Sequence, residues 1–149
     1  MYEITLIVHN VLRWVVLVLL LFAILDSLKG VLSNSLTRPN TILAKSVMHA
    51  TSLQLLIGAV FYLIPGSVAN MAIRNMGEAM KTTELRFFAV EHTFMMLLAI
   101  GMIHLGVARS RKAQTVKTSN RWALSCYLLA GILMLFAIPW WRPLFRLLG

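Results

Sequence analysis

Four stretches of this chain are each long and apolar enough to cross a bilayer, and they leave little room for any other fold. They run from Ile4 to Leu25, Ile42 to Ile64, Phe87 to Val107 and Trp122 to Ile138. A hydrocarbon core of ~30 Å is crossed by about 20 residues of helix. Backbone groups in lipid must be paired within the chain, and apolar runs of this length are too long for barrel strands, so each is predicted to be a helix. Hydrophobic residues make up 59% of the 149 positions and charged residues 13%, with a mean hydropathy of +0.79. A water-soluble domain with an ordinary surface is excluded. The expectation is an all-α membrane protein, a single domain over residues 1–149 folded as an up-and-down four-helix transmembrane bundle.

The net charge of +9 would suit a nucleic-acid binder, but its placement follows membrane topology instead, and no nucleic-acid partner is expected. Lys29, Arg38 and Lys45 flank the first connection, and Arg109, Arg111, Lys112, Lys117 and Arg121 fill the third; these eight share one face. The other face has five, namely Arg74, Lys81 and Arg86 in the second connection and Arg142 and Arg146 in the tail. The positive-inside rule then puts connections one and three in the cytoplasm and both termini outside. Trp122 at one end of the fourth span, and Trp140 and Trp141 at the other, match aromatic belts, and WWRPLFRLLG reads as an interfacial turn. Glu3 and the lack of a basic n-region or cleavage site predict a retained first helix, not a removable signal. Cys126 is the single cysteine, so it is expected to be a small packed residue of helix four.

Ionisable side chains within the spans are costly and therefore mark candidate functional positions. Helix three carries Glu91 and His92 early and His104 near its far end. Helix one carries His9 and Arg13, four apart and so on one face; helix two carries His49 and Gln54. At 1.5 Å per residue, His92 and His9 lie roughly 7 and 9 Å to the outer side of the midplane, and His49 and His104 roughly 6 and 11 Å to the inner side. Helices one and three run in the same direction and are predicted to be diagonal partners, so His9 and His92 can face each other across the core. His49 and His104 form a looser second pair. His92 and His104 are separated by about 120° of helix rotation and cannot serve one face. An Arg13–Glu91 ion pair inside the bundle is also expected. Between helices two and three, Gly66 to Leu85 is predicted to be a short amphipathic interfacial helix. Its Met71, Met76 and Met80 read as apolar surface or, more sharply, as a copper(I) site.

Several of these residues together carry a resemblance: His9 with Arg13-Trp14, His49 with Gln54 and Gly58, Met80-Lys81 with Arg86, Glu91-His92 with Met95-Met96, Arg109-Ser110-Arg111-Lys112, and Ile138-Pro139-Trp140. Over nearly its whole length the chain resembles small four-helix bacterial inner-membrane proteins usually labelled cytochrome-b-like. One departure is Thr93, where the family pattern has proline after the Glu-His pair. The resemblance implies an intramembrane bis-histidine haem b and electron transfer to or from a partner, with quinone as one route; in a bacterial inner membrane the termini that the charge distribution places outside would be periplasmic.

Three functions are compatible with these residues. The first is a haem b electron carrier or the anchor subunit of a redox complex, non-catalytic in itself. Haem b requires axial nitrogens on both faces of the iron, an apolar slot and cations near the propionates. His9 and His92 would supply the ligands, Arg13 or Arg86 the cations, and Glu91 a neighbouring carboxylate, with His49 as the competing ligand. The second is a cofactor-free structural or assembly subunit, in which Arg13, Glu91 and the histidines form a polar network that fixes helix register. The third is an intramembrane metal or proton site built from His49, Glu91 and His92, with His104 as a further imidazole. The expected partners are the bilayer and a larger membrane complex or a second copy of the chain. The sequence has no hydrolase nucleophile or phosphate-binding loop.

Overall fold

The structure is a computed structural model that describes residues 1–33 and 36–142. In chain order its elements are α1 (Tyr2–Leu32), α2 (Thr41–Leu63), α3 (Val68–Arg74), α4 (Met76–Ala79), α5 (Thr83–Arg86), a π-helical turn (Phe87–Glu91), α6 (His92–Lys112) and α7 (Val116–Ala137). Four helices are long and apolar enough to cross a membrane: α1, α2, the continuous helix Thr83–Lys112, and α7. The protein is thus a multi-pass, all-α membrane bundle. The tail beyond Arg142, including Arg146, lies outside the described residues.

The helix ends follow local chemistry. α1 continues past Leu25, through Asp26 and Lys29, because charged side chains at headgroup level need not end a helix and a lysine in the last turn suits the negative end of the helix dipole. Asn40 caps α2, its Oδ1 accepting from the Leu43 amide at 3.0 Å, while the Asn40 amide donates to Asp26 Oδ2 at 2.7 Å and ties the cap to α1. α7 starts at Val116, earlier than the predicted Trp122, because Thr115 Oγ1 accepts from the Thr118 amide at 3.1 Å. α2 and α7 stop alike, at residues whose followers, Ile64 and Ile138, are extended (ψ 113° and 128°). Both isoleucines precede a proline, whose ring disfavours the helical conformation in the residue before it. After α2, Pro65 and Gly66 form a turn closed by the Ser67 amide on the Ile64 carbonyl at 3.2 Å. Gly66 there has φ 79°, the left-handed position that favours glycine.

The connection predicted as one interfacial helix is instead three short helices. Asn75 leaves the helical region (φ −137°, ψ 74°) and its side chain accepts from the Glu78 amide; Thr82 is extended (φ −104°, ψ 114°). Asn75 thus caps the helix that follows it, whereas the break at Thr82 has no side-chain cap. Met71, Met76 and Met80 are all exposed.

α1 packs on α2 and α7, and α6 packs on the same two, so α1 and α6 are diagonal, as expected. The two basic connections meet at one end. Arg38 donates to the Ser110 and Ala113 carbonyls at 3.1 and 2.8 Å, and Asn120 Nδ2 donates to the Thr37 carbonyl at 3.1 Å. Small residues draw the helices together in this half. A Cβ on Gly106 would stand 2.8 Å from Cys126 Cβ and 3.0 Å from Tyr127 Cε1, and Cys126 is buried against it. Val16, Leu20, Val47, Ile103 and Tyr127 complete a core with little exposed surface. The half that carries the N-terminus presents the polar side chains His9, Arg13, Gln54 and His92 inward, and there the four helices stand apart.

Candidate functional site

That separation encloses a cavity of about 260 Å³, walled by α1, α2, the start of α6 and the end of α7 and roofed by Val68 and Ala69 of α3. The roof is held down by α2's own terminal carbonyls. Ser67 Oγ donates to the Phe61 carbonyl and Asn70 Nδ2 to the Tyr62 carbonyl at 2.7 Å, so groups orphaned at a helix end recruit the next element. His9, Arg13, Gln54, His92 and Arg142 all line the cavity; Leu17, Leu55, Met96, Ile100 and Met134 supply apolar wall.

His92 enters at the end of the π-helical turn. The widened turn places residues five apart over one another, and Arg86 Nε meets Glu91 Oε1 at 2.9 Å. The freed Phe88 carbonyl accepts from the hydroxyls of Tyr62 and Thr93, both at 3.1 Å, and those two hydroxyls lie 2.5 Å apart. Single π-helical turns inside α-helices occur frequently at functional sites. The His92 ring is then held by its Nδ1, 2.7 Å from the Ala137 carbonyl. That carbonyl is open because the chain leaves the α-helix at Pro139. A carbonyl only accepts, so Nδ1 carries the hydrogen and the neutral ring presents its lone pair at Nε2.

His9, on the diagonal helix, packs edge-on against Phe61 with ring centroids 5.6 Å apart. Its Nε2 lies 3.6 Å from where a Gly58 Cβ would stand. The His9 carbonyl accepts from Gln54 Nε2 at 3.0 Å. At the mouth, Arg142 bonds Glu84 through Nε at 3.0 Å and its guanidinium lies 4.6 Å from the Phe88 ring centre.

The structure therefore brings His9, Arg13, Gln54 and His92 to one cavity and leaves His49, Arg86, Glu91 and His104 out of its lining. His49 and His104 are both exposed on the bundle's surface; His104 Nε2 sits 3.1 Å from Ser52 Oγ on α2. The expected Arg13–Glu91 pair is not formed, because the π-helical turn gives Glu91 a nearer partner in Arg86. Both members of that pair keep 40% of their side-chain surface exposed. Exposed pairs contribute about 0–1 kcal/mol, so Glu91→Ala is expected to lower stability by no more than about 1 kcal/mol, measured by unfolding in mixed micelles. Among the described residues no three His, Cys, Asp or Glu side chains cluster as a metal site would.

Sequence reasoning missed Tyr62, Thr93, Ala137 and Arg142 as parts of the site. Only Ala137 had a readable signal, since Pro139 marks the helix end whose carbonyls lack partners. Compared with protein-family models, curated proteins and solved structures, the chain matches none of them.

Proposed function

We propose that the protein is a membrane-embedded haem b electron-transfer protein or the anchor subunit of a redox complex, as the cytochrome-b-like resemblance implies. The observation that carries this reading is the meeting of His9 and His92, from diagonal helices, in the wall of one cavity from which His49 and His104 are absent. The donor set fits a bis-histidine haem: two imidazoles from opposite sides, apolar walls, and the cations Arg13 and Arg142 for the acidic edge. Volume is the tighter condition. About 260 Å³ lies below the ~300–1,000 Å³ range of small-molecule pockets, and a macrocycle as large as haem belongs well above the lower end of that range. Occupancy therefore requires the helices to part and the wall to repack, with Met96 and Met134 the most adaptable side chains there. When bound, haem b supplies one-electron chemistry. The chain's own part is to hold the His92 ring through Ala137, to exclude water with the apolar walls, and to balance charge with arginine.

The partner in this reading is a redox protein or the quinone pool, reached within a larger membrane complex or a homo-oligomer. The reading includes a bacterial inner membrane with both termini periplasmic, because the end where Arg38 joins the third connection carries most of the basic residues. A reporter fused at the C-terminus is expected to be active in the periplasm; cytoplasmic activity would invert the topology. The function itself is tested by the reduced-minus-oxidised absorption spectrum of the detergent-purified protein, which is expected to carry a haem b band. One observation favours a second reading, a cofactor-free structural or assembly subunit: Glu91 and His92 already have partners inside the chain. A native preparation without the band would select it.

A further inference from the structure

We infer that Gln54 is the positioning residue for His9, its side-chain oxygen accepting the His9 Nδ1 hydrogen so that Nε2 is turned into the cavity. His92 has such a partner in the Ala137 carbonyl. The His9 ring makes no hydrogen bond among the described residues, and Gln54 lines the same cavity wall. Gln54 Oε1 is buried in the cavity wall without a hydrogen-bond partner, and a buried carbonyl left unsatisfied has lost its hydration with nothing in return. The same amide is already anchored at this position by Nε2 on the His9 carbonyl at 3.0 Å.

The ring's edges supply the rest of the argument. Cδ2 and Nε2 form the edge that faces α2, at 3.9 and 3.6 Å from where a Gly58 Cβ would stand. Gln54 and Gly58 are four apart and so lie on one stripe of α2. A half-turn about the Cβ–Cγ bond exchanges the two edges of an imidazole, which are nearly the same shape. Nδ1 then faces the α2 stripe that holds Gln54, and Nε2 lies on the opposite edge of a ring that itself lines the cavity. One rotation thus satisfies the orphaned acceptor and aims the lone pair. Metal-bound histidines commonly donate their second ring N–H to a carbonyl or carboxylate, which fixes the tautomer and raises ligand basicity. The use made of Nε2 rests on the haem reading; the hydrogen bond does not.

The test is ring ¹⁵N NMR of histidine-labelled protein in detergent, with the His9 signal assigned by its loss in His9→Ala. The expected result is an Nδ1–H tautomer for His9 in the wild type and in Gln54→Glu, which keeps an acceptor but loses the bond to the His9 carbonyl. In Gln54→Leu His9 is expected to revert mainly to the Nε2–H tautomer, while His92 stays Nδ1–H throughout. A wild-type His9 in the Nε2–H form overturns the inference whether or not any variant folds, and so does an unchanged His9 signal in Gln54→Leu. In haem-loaded protein, Gln54→Leu is expected to raise the midpoint potential at unchanged haem stoichiometry, because a less basic ligand stabilises the oxidised iron less. A wild type that binds no haem but keeps the Nδ1–H tautomer overturns the haem reading and supports the hydrogen bond.

Discussion

On the proposed haem reading, His92→Ala is expected to abolish the reduced haem b band of the purified protein, and His9→Ala to remove or weaken it, while His49→Ala and His104→Ala leave it at the wild-type level. The contrast follows from placement. His9 and His92 line the cavity, whereas His49 and His104 are on exposed helix faces, where a haem would sit in lipid without walls. His92 is expected to matter more, because its ring is already oriented by the Ala137 carbonyl and loses nothing further on binding. Haem content is read as the pyridine haemochrome per mole of protein. Retention of full haem in His92→Ala, or loss in His49→Ala equal to that in His92→Ala, would reject the assignment.

Gly106→Val is expected to be the most damaging single change in the tightly packed half. A Cβ at this position already falls 2.8 Å from Cys126 Cβ and 3.0 Å from Tyr127 Cε1, and Tyr127 is among the most deeply buried side chains. Neither neighbour presents a flexible tip that can swing aside, so α6 and α7 must separate. Overpacking of a well-filled core costs about 1–3 kcal/mol and occasionally more; two γ-methyl groups beyond a blocked Cβ put this variant at the upper end. The matched control is Gly101→Ala on the same helix, where a Cβ meets nothing within 4 Å. There the change is expected to be neutral or to stabilise by up to about 1 kcal/mol, the gain in helix propensity. Denaturant unfolding in micelles, run on both variants, reads the difference. Equal stabilities would mean that α6 and α7 are not in close contact at Gly106.

The arginine and glutamate of the third span illustrate how far one-dimensional reading reaches. Glu91 was recognisable as a costly charge near a membrane end, and the need for a cationic partner followed. The identity of that partner did not, because it depends on a π-helical turn that shifts residues 87–91 by one position against their neighbours. With regular α-helical spacing Arg86 and Glu91 would diverge; in the widened turn they meet at 2.9 Å. The turn is held by Tyr62 from another helix, so nothing local in Phe87–Glu91 reveals it.

The amino-acid sequence by itself determined the four spans, their stops at Ile64-Pro65 and Ile138-Pro139, the common face of connections one and three, and the matched depth of His9 and His92. These properties depend on apolar length, on proline's effect on its predecessor, on charge placement and on a constant rise per residue, all of which are local to the chain. Only the tertiary structure decided which helix face each histidine occupies, which carbonyl is open to His92, and that one half of the bundle closes on Gly106 while the other opens into a cavity. Those outcomes turn on rotation about helix axes and on the fit of side chains far apart in sequence, where a single inserted residue or a single missing Cβ changes what meets.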